Sequence, residues 1–231
     1  MNRHLNLALK AVPHSRFIVL ADLVRSYAPP NGAVLDIGCG RGELLGRVHA
    51  IRPDLRLAAA DADPECVKRA NAVVGLDEDY VLPPDGSQFD MCGHGHDVVV
   101  MSHVLEHLLD PVKAVESVLR LAKDGGFVIL AVPNPVTPKI IAKALLRRHY
   151  VNRGHVMCWD RSHWMNFLEV ILRLDVVEYA SDGLELLPYS LEMRFAQVRS
   201  LELHVGRRVP WLTESTIAVV RTHGRESRGY I

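Results

Sequence analysis

No apolar run in this sequence is long enough to cross a bilayer: the longest, such as Phe127 to Pro133, fall far short of the ~20 residues a helical span needs. Net charge is missing too. With 27 basic and 27 acidic side chains the formal charge is zero, so no whole-molecule field draws the chain toward nucleic acid or an anionic membrane. Any such attraction must be local. The four cysteines, Cys39, Cys66, Cys92 and Cys158, form no C-x-x-C pair, which excludes a paired-cysteine metal or redox motif. The opening residues show no charged stretch followed by an apolar one, and together with the scattered thiols this predicts a cytoplasmic protein in a reducing compartment. Internal repeats and low-complexity segments are likewise absent.

What is present is core. Of 231 residues 48% are hydrophobic, enough for one full-sized domain spanning 1–231. Apolar positions Leu5, Leu9, Val12 and then Phe17, Leu20, Leu23, Val24 have helical spacing, broken at Pro13, so 1–30 reads as N-terminal helices. Buried strands are expected at Ala33 to Ile37, Leu55 to Ala60, Asp97 to Met101 and Phe127 to Val132. Helices run from Glu43 to Ile51 and from Cys66 to Val74, the latter with Asp63 as N-cap and Pro64 at its first position. Another helix opens at Asp110-Pro111 and ends in a Gly125-Gly126 cap. Residues 75–96 read as loop with a short strand near Gln88-Phe89. Beyond 135 a helix is expected from about Ser162 to Leu172, a strand at Leu174 to Tyr179, a helix near Leu191 to Leu203, a strand at Thr216 to Arg221 and a fraying tail. Strands and helices alternating in this way make a Rossmann-like, doubly wound α/β sheet with helices on both faces and its ligand beyond the strands' carboxyl ends.

The loop at the first such end is "VLDIGCGRGELL". Here Asp36 is followed by Gly38, Gly40 and Gly42 at alternate positions, and Asp61 closes the second strand. Asp36 would repel a pyrophosphate, yet it can hold an ammonium group directly or through water while the glycines let the backbone close on a small amino-acid portion. Asp61 is placed to accept both hydroxyls of a ribose. A cofactor with a cationic amino-acid end, a ribose and no phosphate fits both acids, and S-adenosyl-L-methionine has that make-up.

Taken with "AAADADPE", "DVVVMSHVLEHLLDP" and "LAKDGGFVILAVPN", in order and spacing, the glycine loop resembles the successive motifs of class I S-adenosylmethionine-dependent methyltransferases, strongly over 31–135 and loosely over 154–221. The resemblance implies a seven-stranded sheet with its last strand antiparallel. It implies that Asp36, Gly38, Cys39 and Gly40 line the methionine portion and that Asp61 and Ala62 take the ribose; Gly42 of the same loop and Ser102, after the fourth strand, are assigned to cofactor binding with them. The acid facing the adenine amino group falls within 75–96; Asp90, with the Met91 backbone, is assigned to it, and Asp85 is the competitor.

Methyl transfer from a sulfonium is an in-line displacement, and a base helps when the acceptor is a hydroxyl. His107 is the first candidate for that base and His155 the second, in a reading that assigns no metal. The alternative arises because His103, Glu106 and His107 form H-x-x-E-H, three ligand-type side chains on one turn if the segment is helical, with His155 as a fourth. That pattern is similar to the E-x-x-E-H metal site of small-RNA 2′-O-methyltransferases and of some ubiquinone-pathway O-methyltransferases, and His103 in place of the first acid favours a softer ion. The stretch "RRHYVNRGHVMCWDRSHW" reads as a lid over a small-molecule acceptor rather than a nucleic-acid track. Residues 184–212 read as a helical insertion shaping the acceptor side of 136–231. The expected function is O-methylation of a small molecule or sugar; the alternatives are metal-assisted methylation of RNA or a quinone precursor, and an inactive cofactor-binding partner subunit.

Overall fold

A computed structural model describes residues 14–85, 88–148, 151–184 and 196–223. The order is α1 (Ser15–Tyr27), β1 (Ala33–Ile37), α2 (Glu43–Ile51), β2 (Arg56–Asp61), α3 (Pro64–Val74), β3 (Glu78–Val81), β4 (His96–Ser102), α4 (Pro111–Leu121), β5 (Ala122–Pro133) and α5 (Pro138–Leu145). There follow α6 (Arg161–Met165), continued as a π-helical turn over Asn166–Ile171, then β6 (Asp175–Ser181), α7 (Ala196–Gly206) and β7 (Ser215–Arg221). The strands form one seven-stranded sheet in the order β3-β2-β1-β4-β5-β7-β6. β1 to β5 pair in parallel and β7 runs antiparallel to both β5 and β6. This is the Rossmann-like α/β sheet with an antiparallel last strand that the motifs predict.

Side chains alternate between two helix layers because the strand period is two. Leu35, Ile37, Val99, Met101 and Leu130 face α4, with Val115 and Val118, and the ring cluster of Trp159, Trp164 and Phe167. Val34, Val98, Val100, Ile129 and Ala131 face Leu20 and Val24 of α1 and Leu45 and Val48 of α2. Each such side chain contributes about 1.5–3 kcal/mol on burial. The helices begin where expected, Asp63 accepting from the Glu65 N–H at 2.9 Å ahead of Pro64 and Asp110 accepting from the Lys113 N–H at 3.0 Å.

Three local expectations are corrected. The strand after α3 is Glu78–Val81 rather than one near Gln88-Phe89, where the left-handed Gln88 instead opens a 3-10 turn over Phe89–Cys92. The fourth helix stops at Leu121, so Gly125-Gly126 lies within β5, where Gly125 has φ +74°. The segment 162–172 is split into a short α-helix and a π-helical turn. The expected helix over the first 12 residues, the fraying tail and most of the 184–195 stretch lie outside the described residues.

Gly42 fixes how α2 leaves the glycine loop. It is the N-cap of α2 at φ +79°, and a Cβ there would lie 2.8 Å from the Ala70 Cα of α3. Backbone cannot yield as a flexible side chain can. Gly42→Ala is therefore expected to destabilise the protein by about 3 kcal/mol, combining left-handed strain with overpacking, as a fall in the denaturant midpoint at unchanged slope.

Candidate functional site

The carboxyl ends of β1 and β2 are stitched together by the glycine turn. The Gly38 and Cys39 N–H groups donate to the Ala60 carbonyl at 2.8 and 3.1 Å, and Asp61 accepts from the Gly40 N–H and the Asp63 N–H, each at 2.9 Å. Asp61 thus holds the turn and the entry to α3 at once. Asp36 is buried on the α1 face of β1; burial, and after it the negative charge of Asp61, pushes its carboxyl up to about 8, with Arg16 opposing. A buried acid in that state is poised for a cation. The Cys39 thiol is buried and pushed far upward by desolvation, so it is no nucleophile.

In front of the turn lies a cavity of about 280 Å³ whose wall includes Ile37, Gly38, Asp61 and Ala62 on one side, Leu82, Pro83 and Phe89 on another, and His103 and His107 across from them. Asp36, Cys39, Gly40 and Gly42 are not among its lining residues. Asp90 and Met91 are not on it. The Asp90 carboxylate faces Arg120 at 3.6 Å and Met91 is exposed, while Phe89, beside them in the same 3-10 turn, is the residue turned inward. The Ser102 hydroxyl, at the end of β4, is buried with no hydrogen-bond partner among the described residues.

After β4 the chain takes a left-handed step at His103, φ +56°, and then a 3-10 turn over Leu105–His107. The H-x-x-E-H spacing is therefore not one helical turn, and His103 parts from the other two. Its Nδ1 accepts from the Arg16 guanidinium of α1, which leaves Nε2–H to donate to the Ser215 hydroxyl at 2.9 Å. Burial first and Arg16 second hold this imidazole well below its usual value, so it is a neutral structural link among α1, β4 and β7.

Glu106, His107 and His155 do come together. The Val156 and Met157 N–H groups donate to the Glu106 carbonyl at 2.8 and 3.3 Å, and this carries His155 back across the sheet end. His107 and His155 present Nε2 at 4.0 and 3.9 Å from Glu106 Oε1, with their rings 4.7 Å apart edge to face. Glu106 is buried with both carboxylate oxygens unpartnered by hydrogen bonds among the described residues, and desolvation pushes it up to about 7. His155 is pushed down by burial and by His107. The Gly154 carbonyl accepts from His107 Nδ1 at 3.1 Å, so in the neutral ring Nε2 is the free base. His155 in turn lines a second cavity, of about 260 Å³, with Pro133, Ile140, Val151, Val156 and Met157. The neighbouring imidazoles thus line one cavity each, His107 the first and His155 the second.

Sequence reasoning missed Arg16, Phe89 and Gly154. Arg16 had a signal: it falls on the same helical face as Leu20, Leu23 and Val24, an arginine on an apolar stripe.

A profile of the methyltransferase domain family matches residues 13–170. Ubiquinone biosynthesis O-methyltransferases of Caulobacter vibrioides and Xanthomonas campestris are 37% and 33% identical over 131 and 153 residues. These alignments cover 54% and 62% of this chain, and the chain spans only 50% and 59% of those relatives' length. Among solved structures, the plantazolicin methyltransferase BpumL in complex with a monoazolic desmethyl analogue and S-adenosylhomocysteine superposes with a TM-score of 0.59 at 17% identity, over 90% of this chain and 84% of that one. The N-methyltransferase NodS of Bradyrhizobium japonicum gives 0.54 at 18%, over 91% and 94%. At such identities these two share the fold.

Proposed function

The chain belongs to the methyltransferase domain family, and from that premise we propose that it transfers the methyl group of S-adenosylmethionine to a hydroxyl oxygen of a small-molecule acceptor. The carrying observation is the pair of imidazoles 4.7 Å apart that line one cavity each, His107 the cavity that holds Asp61 and His155 a largely apolar one. The first fits the donor on its own chemistry. Asp36 is a buried acid whose carboxyl Arg16 only partly offsets, suited to an ammonium group; Asp61 and Ala62 line the cavity and would meet a ribose; Leu82, Pro83 and Phe89 offer an apolar wall to a purine. S-adenosylmethionine, when bound, supplies a sulfonium methyl that is already electrophilic.

The chain's own task is then to align the acceptor, exclude water and remove one proton. His107 Nε2 takes it, in the tautomer that the Gly154 carbonyl sets, and His155 orients the acceptor from the second cavity. The O-methyltransferase relatives favour oxygen as the acceptor atom.

A second reading is supported by the same cluster. Glu106, His107 and His155 offer three ligand atoms within 4.8 Å of one another, and the orphaned Glu106 carboxylate would gain a partner from a divalent ion. A mixed carboxylate and imidazole set suits zinc, manganese or iron. His103 has no part in it.

The test is calorimetric titration with S-adenosylmethionine and S-adenosylhomocysteine, followed by turnover on catechols and sugars with elemental analysis of the same preparation. Micromolar binding, and formation of S-adenosylhomocysteine with a hydroxyl acceptor, are expected. Absence of binding to either ligand sinks the reading, and stoichiometric metal selects the second mechanism.

A further inference from the structure

Three ionisable side chains from separate parts of the chain come together on the β6–β7 side of the sheet. His14 is the N-cap of α1, Asp182 follows β6 and Glu214 precedes β7. Packing fixes them. The Glu214 N–H donates to the Gly183 carbonyl at 3.1 Å, the Asn134 N–H donates to the Glu214 carbonyl at 2.8 Å, and a Cβ on Gly183 would lie 3.1 Å from the Ser15 hydroxyl oxygen. His14 Nε2 stands 3.0 Å from Glu214 Oε2, and one ligand atom from each of the three lies within 4.8 Å of the others.

Asp182 is the residue this arrangement leaves unsatisfied. It is fully buried, and although its Oδ1 accepts from the Ser215 N–H at 2.8 Å, Oδ2 has no hydrogen-bond partner among the described residues. Burial first, and the charge of Glu214 second, push its carboxyl up to about 7, with Ser215 and His14 opposing. The imbalance extends further. Asp36, Glu106, Asp182 and Glu214 all act on Arg16, whose guanidinium already donates to the His103 ring. Lys139 adds a positive charge on the Glu214 side, and His14 is a cation only when protonated.

We propose that His14, Asp182 and Glu214 form a site for a divalent transition ion, separate from the Glu106, His107 and His155 cluster, that ties the start of α1 to the ends of β6 and β7. Two carboxylates and an imidazole suit zinc, manganese or iron. Zinc holds nitrogen and oxygen ligands at about 2.0–2.2 Å, which sets the ligand atoms of a tetrahedron roughly 3.4 Å apart. The present separations need only side-chain rotation to reach that. His14 and Glu214 are each about a quarter exposed, which gives an ion its way in. Once the ion takes Nε2, the ring's proton stands on Nδ1, and the long 3.4 Å contact that Nδ1 accepts from the Arg16 N–H lapses.

The full chain is to be stripped with chelator, dialysed free of it and titrated calorimetrically with zinc chloride, in a Glu106→Gln background that disables the other cluster. One zinc per chain is expected, with a rise in the thermal midpoint of about 5 °C or more at saturation. Asp182→Asn and His14→Asn, added singly, should each weaken zinc binding by about tenfold or more, since even changes behind a metal ligand cost that much, and should abolish the rise. Asparagine keeps an acceptor for the Ser215 N–H in the first and an N-cap side chain in the second, so without zinc both should melt close to the parent. Should Asp182→Asn fold poorly, His14→Asn, which leaves the buried carboxyl in place, carries the test. Absence of zinc binding in Glu106→Gln, or binding that neither added change weakens, overturns the inference. Zinc is read without donor or acceptor, so failure here leaves the methyl-transfer reading untouched.

Discussion

Asp36→Asn is expected to weaken S-adenosylhomocysteine binding about a hundredfold or more, the cost of removing one partner of a buried charge pair being about 3–5 kcal/mol. The fold should survive. With its carboxyl raised to about 8, Asp36 is mainly protonated at neutral pH before ligand arrives, and asparagine closely copies that neutral shape. The same state fixes the pH dependence. An arriving ammonium favours the carboxylate, so wild-type binding should release a proton below about pH 8, tightening as pH rises and levelling off above that value. Calorimetry in two buffers of different ionisation enthalpy reads the proton directly. Asp36→Asn should show neither the release nor this part of the pH slope. A change in affinity under about threefold in Asp36→Asn would remove Asp36 from the ammonium site.

His107→Ala is expected to lower kcat by about a hundredfold, the lower end of what a positioned base contributes, with little change in S-adenosylhomocysteine affinity. The geometry supplies a second variant that leaves the imidazole in place. Gly154 has φ +86°, and a Cβ there would sit 3.2 Å from His107 Nδ1, beside the carbonyl that sets the ring's tautomer. Gly154→Ala should therefore lower kcat by roughly tenfold, because misplacing a reacting group is costly, while donor affinity stays near wild type. If both variants turn over a hydroxyl acceptor like wild type, the proton leaves by another route.

The fold is legible in the chain wherever burial imposes a period. The apolar run of Ala33–Ile37 and the unbroken "DVVVM" read as buried strands, and Asp63-Pro64 and Asp110-Pro111 read as helix starts, because the physics is local. Glu78–Val81 escaped because it is an edge strand of largely exposed residues, held by ladder bonds to Ala58–Asp61 rather than by an apolar face. The two strand-end acids were legible for the same reason the strands were. The separation of His103 from Glu106 and His107 was not, since it turns on one left-handed residue and on an arginine from a distant helix. Gly154 was hidden as well: what it accommodates is a ring 47 positions earlier.

The sheet order also governs how this protein comes off the ribosome. Among the described residues β6 pairs with no strand but β7, and β7 is inserted between β6 and β5. Once made, β6 must wait for residues 182–221 to be synthesised, a few seconds at roughly 5–20 residues per second. Through that interval the nascent chain carries an unpaired β5 edge and a strand with nowhere to pair. A late closing strand makes the interval before residues 215–221 emerge the one most open to aggregation and most dependent on chaperones.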